Sequence, residues 1–161
     1  TVCAFTQALL QTESLPGEMI VHLLNVVNLQ GISGLAAAFR NDCVKTIAAF
    51  TKFIALAPLH VLTMEQKIEI LIARDRDGFP AVFLGFLFDH REAATVFTNA
   101  VKQAPVELLS DEAKRRLLII SYRNTDGDES ILDLTGLVPV NICKGVKSDF
   151  YVYHLHPFPG S

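Results

Sequence analysis

The sequence predicts an all-α helical-repeat solenoid with three helices in each period of about 47 residues. Three observations predict it. Shifted by 47 positions, the chain falls on itself without a gap: Gly31 meets Gly78, Phe39 meets Phe86, Asp42 meets Asp89, Phe50-Thr51 meets Phe97-Thr98 and Ala57-Pro58 meets Ala104-Pro105. The match continues through Leu62/Leu109, Glu65/Glu112, Lys67/Lys114 and Leu71-Ile72/Leu118-Ile119, and Leu15, Glu18 and Leu24 meet Leu62, Glu65 and Leu71. Secondly, the matched residues are of the kind that start and stop helices. Thirdly, 161 residues at 50% hydrophobic and 19% charged suit one packed core, charge being low against the usual ~25%.

Each element follows from local chemistry. Residues 1–30 read as a partial unit, with a helix near 3–11, where Phe5-Thr6 echoes Phe50-Thr51, and a second near 17–27. The repeat 31–77 opens with Gly31 in a loop, followed by an apolar helix near 33–40. Asp42 precedes a second run near 43–56, where its carboxylate is expected to cap the first turn. That run carries Val44, Ile47, Ala48, Thr51 and Ile54 on one stripe, with Phe50 and Phe53 beside it, and Pro58 ends it. Thr63-Met64-Glu65-Gln66 has capping-box spacing and opens a third helix near 63–73.

The repeat 78–123 copies this order, with helices near 80–88, 90–103 and 110–121. Asp89 and Glu92 have capping-box-like spacing, and Ser110 matches Thr63. Val82, Phe83, Leu84, Phe86, Leu87 and Phe88 make the first helix apolar nearly all round, which predicts a buried layer. Residues 124–161 read as a degenerate cap: a turn at Asn124-Thr125-Asp126-Gly127-Asp128, a short helix near 129–136, then an irregular aromatic tail.

Composition excludes several classes. A net charge of -3 argues against binding nucleic acid by phosphate neutralisation. Cys3, Cys43 and Cys143 are too few and too scattered for a disulfide framework or a four-thiolate zinc site. Met19 to Phe39 carries no formal charge, but its Asn, Gln, Gly and Ser residues predict buried helices rather than a membrane span. A chain beginning at Thr1 implies a piece of a longer protein.

The stretch from Asp75-Arg76-Asp77-Gly78-Phe79-Pro80-Ala81-Val82 through Asp89-His90-Arg91-Glu92-Ala93-Ala94 resembles an ankyrin repeat. It has the D-x-x-G opening, an early Pro, an apolar inner helix and a corner His at His90. It departs from that pattern in placing Pro one position early, in carrying Asp89 where the corner glycine stands, and in its longer period. In this form it is similar to the ankyrin-like repeats of some bacterial type III secretion effectors; HEAT and armadillo repeats compete on period. The resemblance implies a structural role for His90, whose side chain would bond neighbouring backbone. It also implies a protein–protein interaction module, secreted into a host cell as part of a larger effector and binding a host protein on a concave repeat surface.

Other constellations are weak. His154 and His156, with Asp149, are too few for a metal site. Cys43 with His22, His60 or His90 has no local support as a thiol–imidazole pair, and a small buried Cys is the plainer reading. Asp75-Asp77-Gly78 and Asp126-Gly127-Asp128-Glu129 lack the calcium-loop pattern. Lys114, Arg115 and Arg116 follow Asp111 and Glu112 in the order that complements a helix dipole. No cofactor is implied and no catalytic set converges, so the expected activity is binding. The alternative is the helical part of an enzyme whose catalytic residues lie elsewhere in the parent chain. The expected contact residues precede the inner helices: Arg74, Arg76, Asp77 and Phe79 in one unit, and Arg123, Asn124 and Asp126 in the next.

Overall fold

A computed structural model describes Ala4, Ala8, residues 16–29 and residues 31–136. Over these residues the chain is mostly helical. The helices are α1 (Gly17–Leu24), α2 (Gly34–Arg40), α3 (Val44–Ala55), α4 (Met64–Ile72), α5 (Ala81–Leu87), α6 (Arg91–Gln103) and α7 (Asp111–Leu118). An antiparallel pair, β1 (Ile119–Arg123) and β2 (Glu129–Asp133), follows α7. Helix starts recur with the shift seen in the sequence: Gly34 and Ala81, Val44 and Arg91, Met64 and Asp111, and, one copy earlier, Gly17 and Met64. Helices also pack on their own counterparts: α2 on α5, α3 on α6, and α4 on both α1 and α7.

The corner after each inner helix explains one repeated residue in a way the sequence did not suggest. Asp42 and Asp89 are not the N-cap residues of the following helices. They stand at φ 56° and 60°, in the left-handed region. Asp42 N–H donates to Phe39 O and Cys43 N–H to Ala38 O; Asp89 N–H donates to Phe86 O and His90 N–H to Gly85 O. This is the Schellman closure of a helix C-terminus, in which a short polar side chain stands where glycine is usual. The N-cap residues of α3 and α6 are Cys43 and His90, and neither makes a side-chain cap bond. The other expected caps form: Thr63 and Gln66 close a capping box, and Ser110 Oγ accepts from Ala113 N–H. Pro58 and Pro105 both follow a finished helix and accept through their carbonyls from Leu62 and Leu109, two fully buried residues.

The core runs continuously through the copies. Phe39, Phe50, Phe86 and Phe97 are at most 2% exposed. Phe39 meets Phe97 edge to face, with centroids 5.7 Å apart, so the inner helix of one copy locks against the second helix of the next. Gly85 lets α5 lie close to α2, since a Cβ there would stand 3.1 Å from the Phe39 ring. The apolar inner layer is not buried throughout, because Leu87 and Phe88 are about half exposed, at 54% and 46%. Arg40 lies over the Phe88 ring at 5.9 Å.

Lys67 and Lys114 explain another repeated pair. Lys67 is fully buried, and its Nζ donates to Ala55 O at 2.9 Å and to Leu108 O at 2.7 Å. Ala55 ends α3, so the lysine satisfies an orphan helix carbonyl and ties one copy to the next. Lys114 Nζ donates to Lys102 O and Ala104 O at the matching end of α6. Burial lowers the Lys67 pKa from 10.5 to about 8. The folded chain therefore binds fewer protons than the unfolded one between those values, and stability rises with pH across that window. We expect the stability of the parent chain relative to Lys67→Met to increase by about 1–2 kcal/mol between about pH 7 and about pH 9.5. Urea unfolding at both pH values checks this; a flat difference contradicts it.

The end of the second copy departs from the expected all-α pattern. The helix predicted to reach residue 121 stops at Leu118, and the helix predicted near 129–136 is strand β2. Ile119–Arg123 alternates exposed and buried residues, with Ile120 and Tyr122 inward, and pairs in register from Ile119↔Asp133 to Arg123↔Glu129. β-Branched and aromatic residues at period two favour this pairing over a further helical turn. The helix predicted over 17–27 likewise ends at Leu24, and Val27 bridges Ser33. His154, His156, Asp149 and Cys143 lie outside the described residues, as does Cys3.

Candidate protein-binding surface

Three turns precede or follow the helical units, and they share one construction. Asn28 N–H donates to Ile32 O, and Gly31 N–H returns to Asn28 O. Asp75 and Asn124 repeat both bonds, with Phe79 O and Gly78, and with Asp128 O and Gly127. In each turn the first side chain accepts from the residue four places on: Asn28 Oδ1 from Ile32, Asp75 Oδ1 from Phe79, and Asn124 Oδ1 from Asp128. Asp75 and Asn124 also accept from Asp77 and Asp126. The fourth residue is Gly31, Gly78 or Gly127, at φ 80°, 88° and 84°. An Asx acceptor followed three places later by a glycine is what this geometry requires. The signal is present three times in the sequence, at Asn28, Asp75 and Asn124.

Arginines join the turns. Arg74 donates to Gly78 O across its own turn and to Ser121 O of β1; Arg76 donates to Leu29 O of the preceding turn; Arg123 donates to Gly127 O. Each therefore holds a backbone carbonyl within the molecule, a role the sequence reading did not foresee. Phe79 packs inward on Phe83 and Tyr122, with centroids 4.9 and 5.6 Å away. Asn124 is buried. Of the seven expected contact residues, Asp77 and Asp126 stand exposed at the turn tips, beside the exposed guanidinium groups. Leu29, at the tip of the first turn, is 99% exposed, and sequence reasoning passed over it.

The remaining candidates are accounted for individually. His90 Nδ1–H donates to Phe39 O at 2.7 Å, a bond from one copy to the backbone of the previous one. Cys43 is exposed, not buried, and its thiol makes only a weak contact with Asn41 O. Arg115 pairs with Glu112 and Arg116 with Glu65. The hydrogen bond and charge of Arg115 hold the Glu112 carboxyl below its ordinary pKa. Among the described residues no group of three His, Cys, Asp or Glu side chains gathers to hold a metal, and no helix is long and apolar enough to cross a membrane. No protein-family model matches the chain, and no curated protein or solved structure matches it at a significant level.

Proposed function

We propose that this chain is an ankyrin-like helical-repeat solenoid that binds another protein and carries no catalysis of its own. The observation that carries the reading is the row of three like-built turns whose tips project Leu29, Asp77 and Asp126. Repeat stacks present such rows as extended binding surfaces, because each copy places its tip in a fixed relation to the last. The arginines support this, since Arg76 ties the second turn to the first and Arg74 ties it to β1, which holds the tips in place before a partner arrives. The resemblance to effector repeats adds the proposed setting: a module of a larger secreted bacterial protein that recruits a host protein.

Capture from host lysate with this chain tests the reading, provided the captured protein is then titrated against tip variants. We expect Leu29→Ser with Asp77→Ala to weaken its binding at least ~10-fold with stability nearly unchanged, since neither side chain supports the fold. Failure to capture a partner, or affinity indifferent to the tip variants, contradicts it.

A further inference from the structure

The shift by one period exposes an unmatched charge. Glu65 on α4 pairs with Arg116 on α7. One copy earlier, the same two positions are Glu18 on α1 and Glu69 on α4, two carboxylates. Both line the groove between α1 and α4, and neither has an ion pair among the described residues. The rest of the lining includes Val21, Val26 and Val27, and the groove encloses about 700 Å³. Val26 and Val27 are 56% and 46% exposed, and Leu29 follows them at the first turn tip. Val26, Val27 and Leu29 together leave an apolar strip open to solvent beside two like charges. The side chain of Asn25, which lines the same groove, buries an Oδ1 that finds no hydrogen-bond donor among the described residues.

We propose that this groove docks a cationic amphipathic segment of a protein partner, whose arginine or lysine pairs with Glu18 and Glu69 as Arg116 pairs with Glu65 in the next copy. The proposal rests on the binding-module reading but concerns a groove that the turn tips do not line. Glu18 and Glu69 supply the charge that the segment answers, and the valines supply the floor for its apolar face.

The test titrates the whole chain with three labelled helical peptides sharing one leucine stripe and flanked by Arg, Gln or Glu, read by fluorescence anisotropy. The Arg peptide is expected to bind at least ~10-fold more tightly than the Gln peptide, with the Glu peptide weakest and the preference shrinking at high salt. Glu18→Gln with Glu69→Gln is expected to erase the preference while circular dichroism stays unchanged, and Val26→Ser with Val27→Ser to weaken all three peptides. Equal affinity for the Arg and Gln peptides, or a preference that survives the double Gln variant, overturns the proposal. So does a self-associating chain whose dimer these same variants dissolve, because the occupant is then a second copy. A captured host protein that responds to the tip variants but not to the groove variants overturns the groove alone and leaves the module reading standing.

Discussion

Truncating Phe97 to Ala is expected to destabilise the fold by about 3–5 kcal/mol, and Phe86→Ala by a similar amount, the range for deleting a well-packed core aromatic. Both rings are at most 1% exposed. Phe97 meets Phe39 edge to face, so its loss opens a void between two copies as well as within one. The space cannot collapse easily, since α2 and α5 are already held close at Gly85. A loss of this size is a large share of the stability of an ordinary domain. Urea unfolding of the two variants checks it, and a midpoint near that of the parent chain for either contradicts the packed inter-copy core.

The second large effect separates two glycines that share a backbone conformation. Gly31 and Gly78 stand at φ 80° and 88°, where an L side chain is strained by about 1–2 kcal/mol. A Cβ on Gly78 meets nothing within 4 Å, so Gly78→Ala is expected to show that strain and little more. A Cβ on Gly31 would stand 2.7 Å from Arg76 Nε and 3.0 Å from Arg76 Cβ. Gly31→Ala must therefore push Arg76 off Leu29 O and is expected to cost about 2–4 kcal/mol, strain and overpacking together. Equal losses at the two positions would show that Arg76 does not tie the turns together.

The period was legible in the sequence because the repeated residues have demanding local geometries. Gly31 and Gly78 need positive φ, Thr63 and Ser110 cap helices, and Pro58 and Pro105 follow finished ones. Asp42 and Asp89 were seen as a pair but given the wrong task, because the side chain that suits an N-cap also suits the left-handed corner. Lys67 and Lys114 were seen as a pair with no task at all. Their partners are carbonyls 10 to 41 residues away, and no local pattern announces such a bond. The strands were missed because Ile119 and Ile120 continue an amphipathic helix as readily as they open a strand, and only pairing with β2 decides between them.

The surface was less legible than the fold. Arg74, Arg76 and Phe79 were expected at the surface as contact residues, but the two arginines also hold backbone carbonyls within the molecule and Phe79 packs against Phe83 and Tyr122. Leu29 is a single apolar residue in a polar turn, and its near-complete exposure is visible only once the chain is folded. The unmatched Glu18 and Glu69 became meaningful only beside the Glu65–Arg116 pair one copy along.

The proposed repeat makes residues 31–77 a unit able to stack on itself. It is tested most directly by inserting a second copy of that segment between Asp77 and Gly78 and measuring urea unfolding with circular dichroism. A true repeat unit adds helix in proportion to its length and raises the denaturant slope, because the longer stack exposes more surface in one cooperative transition. That result is expected, with stability at least equal to that of the parent chain. An inserted copy that adds no helical signal, or that unfolds the chain around it, would contradict it.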